Sequence, residues 1–305
     1  MTNIFIDGSA GTTGLRIFDR LSGREDIRLL TLPEERRKDP EARRDALNAA
    51  DVAFLCLPDA AAVEAVALLE NDRTAVIDTS TAHRTAEGWI YGFPELAGRR
   101  EQIKTSKRIA NPGCHASGFI ALVAPLVEQG LIAPDARLSC FSLTGYSGGG
   151  KSMIAQYEAS DPDPLFAAPR QYGLTQAHKH LPEMVQQCGL TVAPAFCPVV
   201  ANYYAGMEVT VPLFGQRISE VREVYREYYQ TGLVRYIENA DAGESGFLSA
   251  CAYAGRDDMA VTVCGNEERM LLIARFDNLG KGASGAAIQN MNILLGFDET
   301  AGLNV

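Results

Sequence analysis

Over the first hundred residues, short unbroken apolar runs alternate with segments whose apolar positions recur every three or four residues. "NIFID" (3–7), "DIRLLTLP" (26–33), "DVAFLCLP" (51–58) and "TAVIDTS" (74–80) read as short strands buried on both faces. Between them, "LRIFDRLSG" sets Leu15, Phe18 and Leu21 on one helical face and stops at Gly23. "RRDALNAA" and "AAAVEAVALLE" supply two further helices. Strands that alternate with amphipathic helices pair in parallel and are covered on both sides, so this region is expected to be α/β, a Rossmann-type doubly wound nucleotide domain.

The pattern changes after about residue 114. "ARLSCFSLT", "MEVTVPL", "FLSACAYAG", "MAVTVCG" and "RMLLIARF" are strand-like and mostly separated by turns. They predict an α+β second domain built on a mixed or antiparallel sheet. "GAAIQNMNILLG" (285–296) is a closing helix, and no repeat, low-complexity segment or long linker interrupts the chain.

With 305 residues, 47% of them hydrophobic and 22% charged, the chain can bury two domain cores. A net charge of −10 argues against nucleic acid or an anionic membrane as partner. No apolar run reaches membrane-spanning length, and "MTNIFIDG" lacks the basic segment and apolar stretch of a signal peptide. Seven scattered cysteines, an odd number, fit reduced thiols in a cytoplasmic protein.

Two stretches carry chemistry. Gly8, Gly11 and Gly14 form G-x-x-G-x-x-G between the first strand and first helix, where bare backbone and a helix amino end can receive a dinucleotide's diphosphate. Ser9, Thr12 and Thr13 complete the turn. Downstream, "PEERRKD" leaves the cofactor open: Glu34 or Glu35 would suit the ribose of NAD, Arg36, Arg37 and Lys38 the 2′-phosphate of NADP. The second stretch is "ANPGCHASGFIALVAPL". Cys114 follows a turn and opens an apolar helical run, so the helix dipole and N–H groups favour its thiolate and arm it as a nucleophile. Its base must come from four histidines. His115 is the sequence neighbour, and neighbouring side chains point apart. His178 and His180 in "AHKHLPEM" stand two apart and do not share a helical face, so one of the two is expected to reach the sulfur. No cysteine or carboxylate stands at ligand spacing beside them, and no metal site is expected.

"GYSGGGKS" (145–152) matches the phosphate-loop pattern letter for letter. A phosphate loop opens a long helix and works with a strand ending in Asp. Here the helical run lasts about eight residues before "DPDP", and "LLIARFD" carries Arg275 inside it. The match is read as an accident of a glycine loop.

The set "GSAGTTG", "NPGC", "HKHLPE" and "DNLGKGASGAAIQNMN" resembles, over nearly the whole chain, the shorter N-acetyl-γ-glutamyl-phosphate reductases, which group with the aspartate-semialdehyde dehydrogenases. His115 and Ser117-Gly118 stand where the family usually has an aromatic residue and a threonine-glycine pair. The resemblance implies NADP(H) as cofactor, a small acyl phosphate and inorganic phosphate as partners, and a homodimer or homotetramer. Carried over by position, Cys114 is the acyl-accepting nucleophile and His178 its acid/base partner. Tyr172, His180 and Glu183 line the site, Arg84 holds a phosphate or carboxylate, and Lys151, in what the family uses as a Ser-Gly-rich active-site loop, meets the substrate's anionic groups. Asn278 and Gly282 stand beside the nicotinamide, with Ser80 and Arg36 as further cofactor contacts. The family fold also implies a nucleotide domain of residues 1–113 and 283–305 and a catalytic, oligomerising domain of 114–282. The same chemistry on an aspartyl or aminoadipyl phosphate, a cysteine hydrolase and a non-catalytic nucleotide sensor are the competing readings.

Overall fold

In the computed structural model, which describes residues 1–238, 240 and 246–305, the chain forms two compact units. The first comprises Met1–Pro112 with Ala283–Leu303, the second Gly113–Gly282 with Asn304–Val305. The last residues are tied to the second unit by Asn304, which exchanges backbone hydrogen bonds with Asp257 and its carboxylate.

The first unit has one parallel sheet in the order β2-β1-β3-β4-β6-β5. Its strands are β1 (Thr2–Asp7), β2 (Ile27–Leu30), β3 (Val52–Leu55), β4 (Ala75–Asp78), β5 (Ile90–Tyr91) and β6 (Arg108–Ala110). Helices α1 (Thr12–Leu21), α2 (Pro40–Ala49), α3 (Asp59–Ala67) and α4 (Arg99–Thr105) connect them. Alternation along the strands divides the core. Ile4, Ile6 and Phe54 pack with Ile17, Ile288 and Met291, the last two from the C-terminal helix Gly285–Leu295, while Phe5, Leu55 and Val76 pack with Leu47. In α1, Ile17 and Leu21 are buried and Leu15 is 48% exposed, so the inward face is rotated away from the expected Leu15–Phe18–Leu21 stripe. The rotation is set by Gly14, where a Cβ would come 2.4 Å from the Gly8 carbonyl oxygen. β1 lies between β2 and β3, so the turn after β1 opens at the switch point of the sheet.

The second unit has a mixed sheet in the order β11-β12-β13-β10-β7-β9-β8. It contains β7 (Ser139–Gly145), β8 (Arg170–Gln171), β9 (Ala195–Ala201), β10 (Met207–Phe214), β11 (Val234–Tyr236), β12 (Met259–Gly265) and β13 (Arg269–Phe276). β7–β9 and β11–β12 are parallel and the other pairs antiparallel. "FLSACAYAG" forms turns instead of the expected strand, closed by bonds such as Ala254 N–H to the Cys251 carbonyl. Its helices are α5 (Cys114–Glu128), α6 (Gly150–Tyr157), α7 (Leu181–Cys188) and α8 (Ile218–Tyr228).

Helix α5 is buried without a break from His115 to Leu126. Gly118 lets it lie directly on the sheet: a Cβ there would stand 2.5 Å from Val209 Cγ2. Pro125 has no N–H for the Ala121 carbonyl four residues back, and the Tyr229 hydroxyl donates to that oxygen at 2.6 Å. Among the described residues, no helix is long and apolar enough to cross a membrane.

Candidate active site

In the first unit, Gly8 has φ +85°, and a Cβ on it would fall 2.3 Å from the Cys56 carbonyl oxygen. With Gly14 equally confined, only glycine fits both places. Helix α1 begins after Gly11 with no acidic residue in its first turn and no side-chain cap. Bare backbone, a helix amino end and no competing anion are what a diphosphate needs, so the turn fits NADP(H). Arg36 lies on the surface and forms an ion pair with Asp39.

Ser80 and Arg84 brace the neighbouring loop. The Ser80 hydroxyl donates to Asp78 at 2.7 Å, and His83 Nδ1, stacked on Trp89, lies 2.6 Å from the same carboxylate. The buried Arg84 guanidinium donates from Nε to the Asn111 carbonyl and from Nη2 to that of Thr79, each at 3.0 Å, joining the ends of β4 and β6.

In the second unit, Cys114 is the first residue of α5 and is half-buried, while the residues after it are covered. Burial pushes the thiol of Cys56 up to about 12, and those of Cys140 and Cys188 up as well. Cys114 instead sits where helix N–H groups and the dipole favour its anion. Glu183, buried in the first turn of α7, accepts the Gly113 N–H at 3.1 Å and so holds the turn that starts α5. On another side is Gly282, where a Cβ would lie 2.9 Å from Cys114 Cβ.

The histidines form a cluster. His178 and His180 have ring centroids 4.7 Å apart, and both lie within 5.7 Å of His115. The expectation that His178 and His180 diverge assumed helical geometry, but α7 begins only at Leu181. The His180 N–H donates to His178 Nδ1 at 3.2 Å, which leaves the proton of a neutral His178 ring on Nε2. His180 Nε2 is 4.0 Å from Glu183.

His115, set aside in the sequence as a base for its neighbour Cys114, and Ser142, which the sequence did not single out, both take part here. His115 Nδ1 is 2.7 Å from Ser142 Oγ and its Nε2 is 2.6 Å from Tyr172 Oη. Sheet register aligns the two hydroxyls. Ser142 pairs with Pro198 across β7–β9, and the Tyr172 N–H donates to the Pro198 carbonyl just beyond β8. Two strand spacings separate them, a gap of about 10 Å that an imidazole from α5 bridges. Burial, helped by His178, lowers the His115 pKa to about 3 and keeps it neutral. Burial and the nearby Cys114 both raise the Tyr172 phenol, which stays protonated. A histidine on an otherwise apolar helical face and a serine at an inward strand position were the available signals, since buried polar groups need partners.

The glycine loop runs from β7 through a 3-10 turn at Tyr146–Gly149 into the eight-residue α6. Asn278 fastens it, donating to Ser147 Oγ and accepting the Gly206 N–H, each at 3.0 Å. The Asn278 amide is thus engaged in the loop. Lys151 is exposed on α6.

Two family models match the chain: the semialdehyde dehydrogenase NAD-binding domain over residues 3–106 and the semialdehyde dehydrogenase dimerisation domain over 114–278. N-acetyl-γ-glutamyl-phosphate reductase 2 of Nostoc sp. is 43% identical, covering 98% of both chains. The enzyme of the same name from Pseudomonas putida is 46% identical over 96% of each. Among solved structures, aspartate semialdehyde dehydrogenase II of Vibrio cholerae, complexed with ASA, matches 97% of this chain and 98% of its own with TM-score 0.72 and 16% identity. Aspartate semialdehyde dehydrogenase with NADP from Candida albicans matches with TM-score 0.68 and 15% identity over 97% and 98%. At these identities the two structures bear on the fold.

Proposed function

The chain belongs to the N-acetyl-γ-glutamyl-phosphate reductases, and from that membership we propose its reaction. It reduces N-acetyl-L-glutamyl 5-phosphate with NADPH, releasing N-acetyl-L-glutamate 5-semialdehyde and phosphate, a reversible step of arginine biosynthesis. The observation that carries the assignment within this chain is the half-buried Cys114 at the start of α5, beside the histidine cluster.

Cys114 acts as nucleophile. Its thiolate attacks the acyl carbon, a C–S bond forms, and the C–O bond to phosphate breaks with phosphate taking the electron pair. The Gly8–Gly14 turn holds NADPH, which supplies a hydride when bound. His178 serves the oxygen. Its Nε2–H hydrogen-bonds to the carbonyl oxygen and stabilises the negative charge as the thioester becomes a hemithioacetal anion, which collapses to the aldehyde as the C–S bond breaks and sulfur takes the electron pair. Glu183 orients the Cys114 turn, His180 and Tyr172 line the site, and Arg84 and Lys151 are assigned to substrate anions.

A homodimer or homotetramer in the cytoplasm completes the reading. Phe141, Phe214 and Leu271, exposed on the adjacent strands β7, β10 and β13, offer an apolar sheet surface for a second copy. The deciding assay is phosphate-dependent reduction of NADP⁺ by the purified protein with N-acetylglutamate semialdehyde and, separately, aspartate semialdehyde. Turnover with the first alone is expected. Preference for the second overturns the substrate, and no reduction with either overturns the reaction class.

A further inference from the structure

We propose that His115 is a positioning residue that fixes the direction of the Tyr172 hydroxyl and turns its proton toward Cys114. The inference rests on the reductase reading and gives a task to a residue that reading leaves idle.

The imidazole is held at both nitrogens, 2.7 Å from Ser142 Oγ and 2.6 Å from Tyr172 Oη. A neutral ring has one donor and one acceptor, so the three-member chain can run in only two directions. The buried end decides between them. Ser142 is fully buried, and among the described residues its hydroxyl has no hydrogen-bond partner other than His115 Nδ1. An O–H left undonated in that place carries the full cost of desolvation. Ser142 therefore donates to Nδ1, and the ring proton resides on Nε2. That N–H donates to the Tyr172 oxygen, and the phenol's own proton is released to another acceptor.

Tyr172 and Cys114 share no hydrogen bond in the structure, but Cys114 opens the helix that carries His115, and its charge raises the phenol. An O–H dipole with its positive end toward a thiolate stabilises it through space. The opposite chain direction would present phenolic lone pairs to the sulfur and work against its ionisation. One proton, placed from the strand β7 side of the cluster, thus decides whether Tyr172 helps or hinders the nucleophile. The direction is insensitive to the remaining titratable groups around the ring, His178 and His180, because burial holds His115 neutral throughout the working range.

The test is the rate at which iodoacetamide labels Cys114 as a function of pH, read by mass spectrometry on the peptide carrying that residue. His115→Phe and Tyr172→Phe are expected to raise the thiol pKa and slow labelling about tenfold at pH 6, one pKa unit's worth of thiolate. His115→Gln, whose amide N–H₂ takes the place of Nε2–H, restores most of the rate. The double variant His115→Phe/Tyr172→Phe labels no more slowly than Tyr172→Phe alone, because His115 acts through the phenol. Ser142→Ala, which removes the selecting donor at a distance from the sulfur, gives an intermediate slowing and carries the test should His115→Phe fail to fold. Equal profiles in wild type, Ser142→Ala and Tyr172→Phe overturn the proposal. Labelling requires no substrate: failure of the reductase reading appears as absent NADP⁺ reduction, and failure of this inference as unshifted labelling in an active enzyme.

Discussion

The Glu183 carboxylate accepts the N–H of Gly113 at 3.1 Å, one residue before the thiol that opens α5. A residue on one helix thereby fixes the backbone turn at the start of another. Glu183→Ala leaves a buried N–H without its partner, a loss of about 1–3 kcal/mol in folding stability. It also loosens Cys114, so kcat is expected to fall about tenfold or more. Glu183→Gln keeps an acceptor oxygen and should retain most of the stability. Urea unfolding and steady-state kinetics on the pair check both halves; equal loss in the two variants removes the hydrogen bond as the cause.

Cys114→Ala removes the only atom assigned a covalent role. Turnover is expected to disappear while NADPH binding, which depends on the Gly8–Gly14 turn, remains near wild type. Fluorescence titration with NADPH beside the activity assay separates the two functions. Residual turnover in this variant would reject the thioester route.

Acid should expose His115 as a source of instability. Its folded pKa is lowered to about 3 by burial, below the unfolded value of about 6.5. As pH falls below 6.5 the unfolded chain binds the proton first, so this contribution is complete above that pH and is lost progressively toward pH 3. Between pH 7 and pH 5 the loss from this ring is about 2 kcal/mol. His115→Gln, which does not titrate, should lose that much less than wild type over the same interval in urea denaturation. Parallel losses in the two proteins would show that His115 is protonated in the fold.

Gly118 carries the contact between α5 and its sheet. A methyl group there must displace Val209, whose Cγ2 would lie 2.5 Å away, and Phe276, whose ring carbon would lie 2.9 Å away. Gly118→Ala should therefore destabilise by about 1–3 kcal/mol despite the helix propensity it gains. Adding Val209→Ala opens the needed space, and calorimetry should show the double variant recovering part of the loss.

The parts of this molecule legible in sequence are those governed by local pattern. The alternation of apolar runs and helical stripes announced the parallel sheet, and glycine spacing marked the turn after β1, because both depend on neighbours within about ten residues. Leu15 was misread because the rotation of α1 is set by the close contact of Gly14 with Gly8, not by its own stripe. "FLSACAYAG" has strand-like composition, yet its turn bonds and its place against Gly206 override propensity. The histidine cluster was hidden for a different reason. It depends on where α7 starts and on the β7–β9–β8 register that brings Ser142 level with Tyr172, and pairing of that kind leaves no trace in spacing along the chain.

Gly282 offers the most selective probe of how tightly the nucleophile is confined. A Cβ at this position would lie 2.9 Å from Cys114 Cβ, 3.1 Å from the Asp277 carbonyl oxygen and 3.3 Å from the Phe276 ring. The ring belongs to the last residue of β13 and the carbonyl to the residue after it, held by the Gly280 and Gly282 N–H groups, whereas Cys114 occupies the first turn of its helix and is half-buried. Strain introduced by Gly282→Ala should relax toward the cysteine. The sulfur then shifts by a few tenths of an ångström, enough to disturb an attack geometry but not a domain core. The expected outcome is a kcat reduced about tenfold to a hundredfold, with KM for NADPH little changed and a midpoint of thermal unfolding within a few degrees of wild type. If Gly282→Ala keeps full kcat, the contact with Cys114 is relieved elsewhere, and Gly282 does not confine the nucleophile.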